Sequence, residues 1–182
     1  RKICDKSNWN FGHKLKKNLI LTGMMGSGKS SVGKSLSERL NMNFVDTDIL
    51  IEEKLSLSIA KIFETKGEKF FRKIEEEEVL KIIKKKGYVV ALGGGAFINN
   101  IIRENIKKNC FSVWIKLNIN KIFERTKNNQ KRPLLKDNSK EELVGLYNQR
   151  KDIYSLADYT IDCNDKDKNK IVEEIKKFYE NK

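Results

Sequence analysis

The stretch GMMGSGKS, residues 23–30, is the strongest structural signal in the chain. Its first glycine and its closing Gly28-Lys29-Ser30 occupy the fixed positions of the pattern G-x-x-x-x-G-K-[ST]. An apolar run, NLILTG, leads into it, and an amphipathic run, KSSVGKSLSERL, follows it. Strand, glycine-rich loop and helix in this order predict a phosphate cradle, because the loop N–H groups and the positive end of the helix dipole converge on one point.

The lysine and the serine of such a loop have separate tasks. Lys29 would reach the β- and γ-phosphates of a nucleotide, and the Ser30 hydroxyl would bind Mg²⁺. An ordinary glycine-rich turn with a chance lysine is the alternative, but the flanking strand and helix argue against it. The sequence therefore predicts binding of ATP or GTP. The loop alone leaves open a switch, a motor or a small-molecule kinase.

Strand-like and helical patterns alternate along the chain. This alternation predicts an α/β fold of three layers, in which helices cover both faces of a parallel sheet. Ligands of such sheets bind at the carboxyl ends of the strands, near a switch in strand order. The predicted strands are 18–23, 43–46, 88–92, 111–117 and 159–162, and the predicted helices are 29–40, 49–55, 58–65, 68–87, 99–108, 119–128, 139–152 and 167–180.

The composition suits one globular domain with a strongly ionic surface. The chain has 182 residues, of which 35% are charged, and its net charge is +13. The lysines are scattered over predicted helices without a basic patch that includes aromatic residues. We therefore interpret the high net charge as a bias in amino-acid composition and expect no nucleic-acid partner. Residues 1–17 carry six basic residues against one acidic residue and are interpreted as a loose, disordered arm before a single domain at 18–182.

Histidine and cysteine usage excludes several kinds of site. The only histidine, His13, lies in the arm, which excludes a histidine-dependent triad in the core and a histidine-rich zinc site. Cys4, Cys110 and Cys163 are odd in number and form no C-x-x-C pair, which favours a reducing cytoplasm. No apolar run approaches the roughly 20 residues of a membrane span, so no membrane partner is expected. Residues 1–17 also lack the apolar core of a signal peptide.

Two aspartates close the second predicted strand, in the run FVDTD at 44–48. Residues i and i+2 of an extended strand point to the same side, so Asp46 and Asp48 would face the phosphate loop together. One would hold Mg²⁺ and the other would accept a hydroxyl proton from a second substrate. The alternative is that either aspartate caps the helix predicted at 49–55.

Arginines and glycines supply the other candidate positions. Arg72, Arg132 and Arg150 belong to a set of only seven arginines, and arginine offers a planar fork for carboxylate or phosphate, although surface ion pairs are the alternative. In YVVALGGGAF, residues 88–97, three glycines remove every side chain at the mouth of a buried strand. Either a ligand approaches the backbone closely there, aided by the dihedral freedom of glycine, or the glycines form a flexible connection.

Three further patterns have plain interpretations. The four glutamates at 75–78 are interpreted as a solvated helix face, with Glu77 and Lys81 spaced as an i,i+4 pair. Phe63 and Phe71 either wall a pocket or fill the core. The polar stretch 128–138 contains the only proline and lacks an apolar period.

Taken in order, six segments resemble the shikimate kinase family. They are GMMGSGKSSVG, FVDTD, SIAKIFETKGEKFFRKIE, LGGGAF, RPLL and the spaced pattern R...Y..AD, and the resemblance extends over roughly residues 18–180. Many families share the P-loop, but this combination in this order is highly specific. The resemblance implies a P-loop fold like that of nucleoside monophosphate kinases, with a five-stranded parallel sheet and a lid at about 128–138. We also expect a monomer.

The resemblance also implies the reaction and the residues that perform it. ATP and Mg²⁺ would be the cofactors, and the 3-hydroxyl of shikimate would be phosphorylated to shikimate 3-phosphate in aromatic amino acid biosynthesis. The implied catalytic residues are Asp48, Lys29 and Arg132, and the implied metal ligands are Ser30 and Asp46. The implied nucleotide-binding residues are Gly26, Ser27, Gly28, Lys29, Ser30, Ser31, Arg125 and Arg132. The implied substrate-binding residues are Asp48, Arg72, Gly93, Gly94, Gly95, Arg132 and Arg150.

Two departures from the family and two rival functions complete this interpretation. No proline follows Arg150 closely, and the acidic, proline-free run CNDKDKN at 163–169 replaces a basic stretch that contacts adenine in many members. Another small-molecule kinase of the same architecture, such as a gluconate kinase, is the nearest rival. A regulatory or nucleic-acid-binding NTPase is the rival of another class and would show strongly salt-dependent binding of DNA or RNA.

Overall fold

The computed structural model describes residues 16–127 and 140–182. The predicted lid at 128–138, which includes Arg132, lies outside the described residues, as does nearly all of the predicted arm at 1–17. The described residues form a five-stranded parallel sheet with seven helices.

The helices and strands follow the predicted order closely. The strands are β1 (Asn18–Thr22), β2 (Asn43–Asp46), β3 (Tyr88–Ala91), β4 (Cys110–Lys116) and β5 (Tyr159–Asp162). The helices are α1 (Lys29–Leu40), α2 (Thr47–Leu55), α3 (Ile59–Lys84), α4 (Asn100–Asn109), α5 (Ile119–Thr126), α6 (Lys140–Tyr154) and α7 (Lys168–Glu180), with a single 3-10 turn at Ala96–Ile98.

The strand order β2-β3-β1-β4-β5 creates a switch point beside β1. From β1 the chain crosses to β2 on one side, whereas from β3 it crosses to β4 on the other side. Right-handed crossovers then place α1 on one face and α3 with α4 on the opposite face. The contacts of α1 with α7, and of α3 with α4, agree with this arrangement. The loops that follow β1 and β3 therefore flank the crevice in which open α/β sheets bind ligands.

Two helix boundaries differ from the sequence prediction for local reasons. The two helices predicted at 58–65 and 68–87 form one run, α3, that is interrupted at Gly67, where φ is 80° and ψ is 167°. Helix α2 begins two residues earlier than predicted, because Asp46 accepts hydrogen bonds from the backbone N–H groups of Asp48 and Ile49. This capping is typical of aspartate at the position before a helix.

The core is divided into a large and a small part. The large part surrounds β1, β3 and β4, whose side chains are almost all buried, as expected of central parallel strands. The small part joins α2 to the first half of α3 through Ile51, Ile62 and Phe71. Helices α2 and α3 are thus held together beside the crevice by a separate apolar cluster.

Within residues 16–127 and 140–182, no helix combines the length and the apolar character that crossing a bilayer requires.

Candidate active site

The phosphate loop joins β1 to α1 and has the backbone conformation that its glycines allow. Gly23, Gly26 and Gly28 have φ angles of 134°, 72° and 101°, in a region that disfavours residues with a side chain. Gly28 precedes α1 and makes no side-chain capping bond, so the first N–H groups of α1 remain directed at the loop. This is the anion-binding geometry expected at a helix amino terminus.

Lys29 lies within the loop as a buried cation. Its exposed fraction is 9%, and its Nζ donates hydrogen bonds to the carbonyl oxygens of Gly23 and Met24, each at 2.8 Å. These two bonds tie the ammonium group to the loop backbone. The positive charge is therefore held where the loop would surround a phosphate.

Ser30 and Asp46 bring two oxygen donors together. The Ser30 hydroxyl donates to Oδ2 of Asp46 at 2.5 Å, while Oδ1 of Asp46 caps α2. Mg²⁺ prefers oxygen ligands, keeps several waters and uses only one or two carboxylates beside phosphate oxygens. This donor set fits Mg²⁺, and the described residues contain no cluster of three or more His, Cys, Asp or Glu side chains that would suggest another metal site.

Asp48 reaches the site by a route that differs from the predicted one. The prediction that Asp46 and Asp48 are aligned by strand alternation is wrong, because β2 ends at Asp46 and Asp48 lies in the first turn of α2. Both carboxylates nevertheless line one cavity of about 330 Å³. Its other lining residues are Met25, Gly26, Gly28, Lys29, Ser30, Ser31, Leu92, Gly94 and Arg125.

The four-glutamate run is not a solvated helix face. Glu75 is 1% exposed and Glu78 is 8% exposed, so two of the four carboxylates are buried. Glu78 accepts hydrogen bonds from Lys54 and Lys81, whereas spacing alone pairs Lys81 with Glu77. Glu75 lies inside the site beside Arg72.

Arg72 is held by carboxylates and aromatic rings. Its Nη1 donates to Oε2 of Glu75 at 2.8 Å, and its Nε and Nη2 donate to Glu68 at 3.1 Å. Its guanidinium carbon lies 5.2 Å from the ring centroid of Phe71 and 6.0 Å from that of Phe63. The two phenylalanines belong to the small core and also support the arginine. Of the two interpretations left open by the sequence, the core position is the observed one, since neither ring lines the cavity that contains both aspartates.

Arg150 and Arg125 approach the site from two different helices. Arg150, on α6, is 8% exposed, and its Nη1 donates to the carbonyl oxygen of Gly94 at 3.3 Å. Arg125, on α5, donates to the carbonyl oxygen of Gly26 at 3.3 Å and lines the cavity. The first arginine lies at the glycine turn after β3, and the second lies at the phosphate loop.

Side chains occupy the space beside two of the three glycines at 93–95. A Cβ atom at Gly93 would lie 2.4 Å from Oδ1 of Asp48, and one at Gly95 would lie 2.5 Å from Nη1 of Arg72. Both separations are shorter than any real contact, so these glycines let Asp48 and Arg72 pack against the backbone. The expectation of unusual dihedrals was wrong, because none of the three glycines has a positive φ.

Gly94 differs from its two neighbours. A Cβ atom there would lie 3.5 Å from the backbone nitrogen of Met25 and 3.8 Å from Nη1 of Arg150, both ordinary contact distances. Gly94 also lines the cavity that contains the phosphate loop and both aspartates. The protein itself therefore accommodates a methyl group at this position.

Comparison with known proteins places the chain in a family. A model of the family described as shikimate kinase matches residues 25–180. A shikimate kinase from Sulfurihydrogenibium sp. is 46% identical over 159 residues, covering 87% of this chain and 95% of that protein. The chain belongs to the shikimate kinase family. Another member of this family, from Clostridium botulinum, is 42% identical over 90% of this chain and 98% of its own length.

Solved structures agree with membership of the shikimate kinase family. A shikimate kinase from Acinetobacter baumannii in complex with shikimate has a TM-score of 0.87 and 34% identity, over 92% of this chain and 95% of that one. The shikimate kinase from Aquifex aeolicus has a TM-score of 0.77 and 35% identity, over 90% of this chain and 96% of that one. A gluconokinase from Sinorhizobium meliloti has a TM-score of 0.60 and 15% identity, over 92% of this chain and 93% of that one. This similarity shows a shared fold only.

Three residues around the site had no role in the sequence prediction. They are Glu75, which holds Arg72, and Thr47 and Tyr154, whose hydroxyls bond to the glycine turn. The spacing of Glu75 three residues after Arg72 on one helix was a usable signal. No sequence pattern could reveal the other two contacts, because each joins residues 46 or more positions apart.

Glu75 makes the stability of this shikimate kinase family member depend on pH. Burial raises the pKa of its carboxyl above the usual value, although Arg72 and Arg150 act to lower it and the Asp48 carboxylate acts to raise it. A raised pKa stabilises the fold at low pH, and this contribution is lost as the pH rises through the folded-state pKa.

We therefore expect Glu75→Gln to gain thermal stability relative to the wild type as the pH rises. Glutamine stays neutral, so the difference in Tm, variant minus wild type, should increase from about pH 5 to about pH 8. Glu68→Gln is the matched control, since Glu68 pairs with the same arginine but is exposed. A difference that stays constant with pH for Glu75→Gln would contradict the raised pKa.

Proposed function

We propose that the protein transfers the γ-phosphoryl group of ATP to the 3-hydroxyl of shikimate, which yields shikimate 3-phosphate and ADP in aromatic amino acid biosynthesis. The observation that carries this proposal is the convergence, in a member of the shikimate kinase family, of a phosphate loop, two carboxylates and a glycine turn on one cavity. The similar shikimate kinase from Acinetobacter baumannii forms a complex with shikimate, which supports the choice of acceptor.

The phosphate loop binds the nucleotide. ATP is held by the loop N–H groups and by Lys29, and the amino-terminal end of α1 completes the phosphate site together with Ser27 and Ser31. Arg125 lies against the adenine. Ser30 and Asp46 hold Mg²⁺, which neutralises charge on the phosphate oxygens when bound. The hydrogen bond between these two side chains supports the assignment, because it brings their oxygen atoms close to one another.

Arg72 and Arg150 bind the carboxylate of shikimate. The pairing of Arg72 with Glu68 is largely exposed, with 54% of the Glu68 side chain accessible, so it stabilises the fold little and yields to a ligand carboxylate. The buried partner, Glu75, keeps the guanidinium in place during the exchange. Arginine suits this task because its planar fork matches a carboxylate.

Asp48 and the glycine turn align the reacting hydroxyl. Asp48 accepts the proton of the 3-hydroxyl while that oxygen forms a bond to the γ-phosphorus and the bond to the ADP oxygen breaks. Lys29 lies where negative charge develops, and the backbone N–H of Gly94 donates to a shikimate hydroxyl. Little covalent chemistry is asked of the protein, since phosphoryl transfer depends mainly on alignment and electrostatic stabilisation.

The remaining parts of the proposal rest on the sequence. Residues 128–138 act as a lid that brings Arg132 to the transferring phosphoryl group and excludes water. The enzyme is a cytoplasmic monomer that binds neither nucleic acid nor membranes, and its catalytic domain extends over residues 18–182. The basic segment 1–17 precedes this domain, and Lys16 near its end bonds to the backbone N–H of Gly87 and to the carbonyl oxygen of Leu40. Buried, unpaired Cys110 and Cys163 suit a reducing compartment.

A direct assay separates this function from its nearest rival. With MgATP and either shikimate or gluconate, we expect ADP release only with shikimate, together with formation of shikimate 3-phosphate. The rival is supported by fold similarity alone, at 15% identity to a gluconokinase. ADP release with gluconate and none with shikimate would replace the proposal by the rival.

A further inference from the structure

Two buried hydroxyl groups hold the glycine turn from opposite sides. The backbone N–H of Gly93 donates to Oγ1 of Thr47 at 2.8 Å, and Thr47 is fully buried at the start of α2. The hydroxyl of Tyr154 donates to the carbonyl oxygen of Gly94 at 2.5 Å, and Tyr154 is fully buried at the end of α6. The turn is thus tied to two helices that are far apart in the sequence.

The contact with Tyr154 fixes a peptide plane in the site. The described residues contain no cis peptide bond, so the N–H of Gly95 points opposite to the carbonyl of Gly94, away from the tyrosine. Glycines have no side chain to anchor, and their backbone is freer to rotate than that of any other residue. The orientation of this peptide therefore depends on the hydrogen bonds made by its own carbonyl.

Arg150 shares the Gly94 carbonyl with the phenol. Arg150 lies one helical turn before Tyr154 on α6 and donates to this carbonyl at 3.3 Å. The Tyr154 ring lies 5.9 Å from the ring of Trp114, which keeps the phenol in place. The tyrosine hydroxyl and the arginine therefore meet at one carbonyl oxygen of the glycine turn.

We propose that Tyr154 and Thr47 are positioning residues for the phosphoryl acceptor, because their hydroxyls fix the Gly93–Gly95 backbone, including the carbonyl to which Arg150 donates, in the orientation that receives the substrate. This inference rests on the proposed role of the glycine turn as part of the acceptor site. Neither residue needs to touch the substrate or transfer a proton. Burial raises the pKa of Tyr154 to about 12, so the phenol remains a donor throughout the pH range of an assay.

Tyr154→Phe tests the inference with little disturbance of packing. The ring and its contact with Trp114 remain, whereas the bond to the Gly94 carbonyl and the longer contact of the hydroxyl with Sδ of Met24, at 3.7 Å, are lost. We expect kcat/KM for shikimate to fall by about 10- to 10²-fold, the scale of a small misplacement in a reacting complex. Affinity for an ATP analogue should stay at the wild-type value, since the phosphate loop keeps its own hydrogen bonds. Thr47→Val, of the same shape, should act in the same direction.

Tyr159→Phe is the matched control for loss of a tyrosine hydroxyl. Tyr159 lies on β5 and donates to Glu174 at 2.6 Å, away from the glycine turn. We expect its shikimate kinetics to match the wild type. A Tyr154→Phe variant that loses thermal stability but keeps wild-type kcat/KM for shikimate would overturn the inference, since its role would then be structural only.

Gly94→Ala separates the inference from the proposed site on which it rests. The added methyl group meets the protein at ordinary contact distances, so an effect on shikimate kinetics reports intrusion on the ligand. We expect KM for shikimate to rise sharply with nucleotide affinity unchanged. Unchanged shikimate kinetics in Gly94→Ala would contradict the acceptor site itself. Impaired kinetics in Gly94→Ala with normal kinetics in Tyr154→Phe would contradict only the inference.

Discussion

Replacement of Lys29 by methionine is expected to reduce kcat/KM for MgATP by about 10²- to 10³-fold or more, the scale on which one preorganised electrostatic group contributes to catalysis. Methionine keeps an unbranched apolar stem of similar length and removes only the charge. In the structure the ammonium group is buried and bonded to two loop carbonyls, so its removal takes away a positive charge that the loop holds in a fixed position. Affinity for an ATP analogue should fall as well, because the β- and γ-phosphates lose their fixed cation.

The control for this experiment lies on the same helix. Lys34 is exposed on α1, so Lys34→Met changes the net charge equally without touching the loop. We expect this variant to have wild-type kinetics. Thermal melting should accompany both variants, since Lys29→Met also removes the donor to the carbonyls of Gly23 and Met24. Near-normal activity in a folded Lys29→Met protein would rule out the nucleotide site assigned here.

The fold was predictable because its signals are local and agree with one another. Apolar strands alternating with amphipathic helices predict a parallel sheet, and the observed sheet confirms it with β1, β3 and β4 in the buried centre. The strand order could not be predicted from composition and spacing alone. It depends on contacts between distant segments, such as the pairing of Leu19 with both Val89 and Phe111. The apolar runs themselves predicted five strands, and the family resemblance implied a five-stranded parallel sheet without giving the strand order.

The candidate site was predicted residue by residue, but several of the physical reasons were not. The sequence showed three glycines at 93–95 and suggested room for a ligand or unusual dihedrals. In the structure Asp48 and Arg72 occupy the space beside Gly93 and Gly95, and only Gly94 faces the cavity without such a neighbour. Which side chain packs against a turn is decided by tertiary contacts between distant segments, and spacing along the chain carries no record of it.

Charge patterning misled for the same reason. A run of glutamates on a helix is ordinarily exposed, which predicts that Glu75 and Glu78 face solvent. Tertiary packing buries both, against Arg72 and against Lys54 with Lys81. The sequence assigned no role to Asp158, the aspartate of the R...Y..AD pattern. Asp158 accepts hydrogen bonds from the backbone and the hydroxyl of Ser112 and so joins β4 to the segment before β5, which is a structural role.

Asp46 at the end of β2 and Asp48 in the first turn of α2 can be distinguished by one substitution each. Asparagine is as good a helix cap as aspartate, so Asp46→Asn should keep α2 intact and change mainly the binding of Mg²⁺. We expect it to raise the Mg²⁺ concentration needed for half-maximal activity. Asp152→Asn, at an exposed position on α6, matches the change in charge and should behave as the wild type.

Asp48→Asn should instead remove most of kcat, by about 10²-fold or more, the scale of general base catalysis. The amide fits the space against Gly93 and can still orient a hydroxyl, but it cannot accept the proton that the hydroxyl releases. The loss should persist at saturating shikimate, ATP and Mg²⁺, while affinity for an ATP analogue stays close to that of the wild type. Saturation is needed because it separates a missing base from weakened binding of any of the three components. If Asp46→Asn abolishes turnover at saturating Mg²⁺ and Asp48→Asn leaves it unchanged, the two carboxylates have the opposite roles, and the proton acceptor is the residue that caps α2.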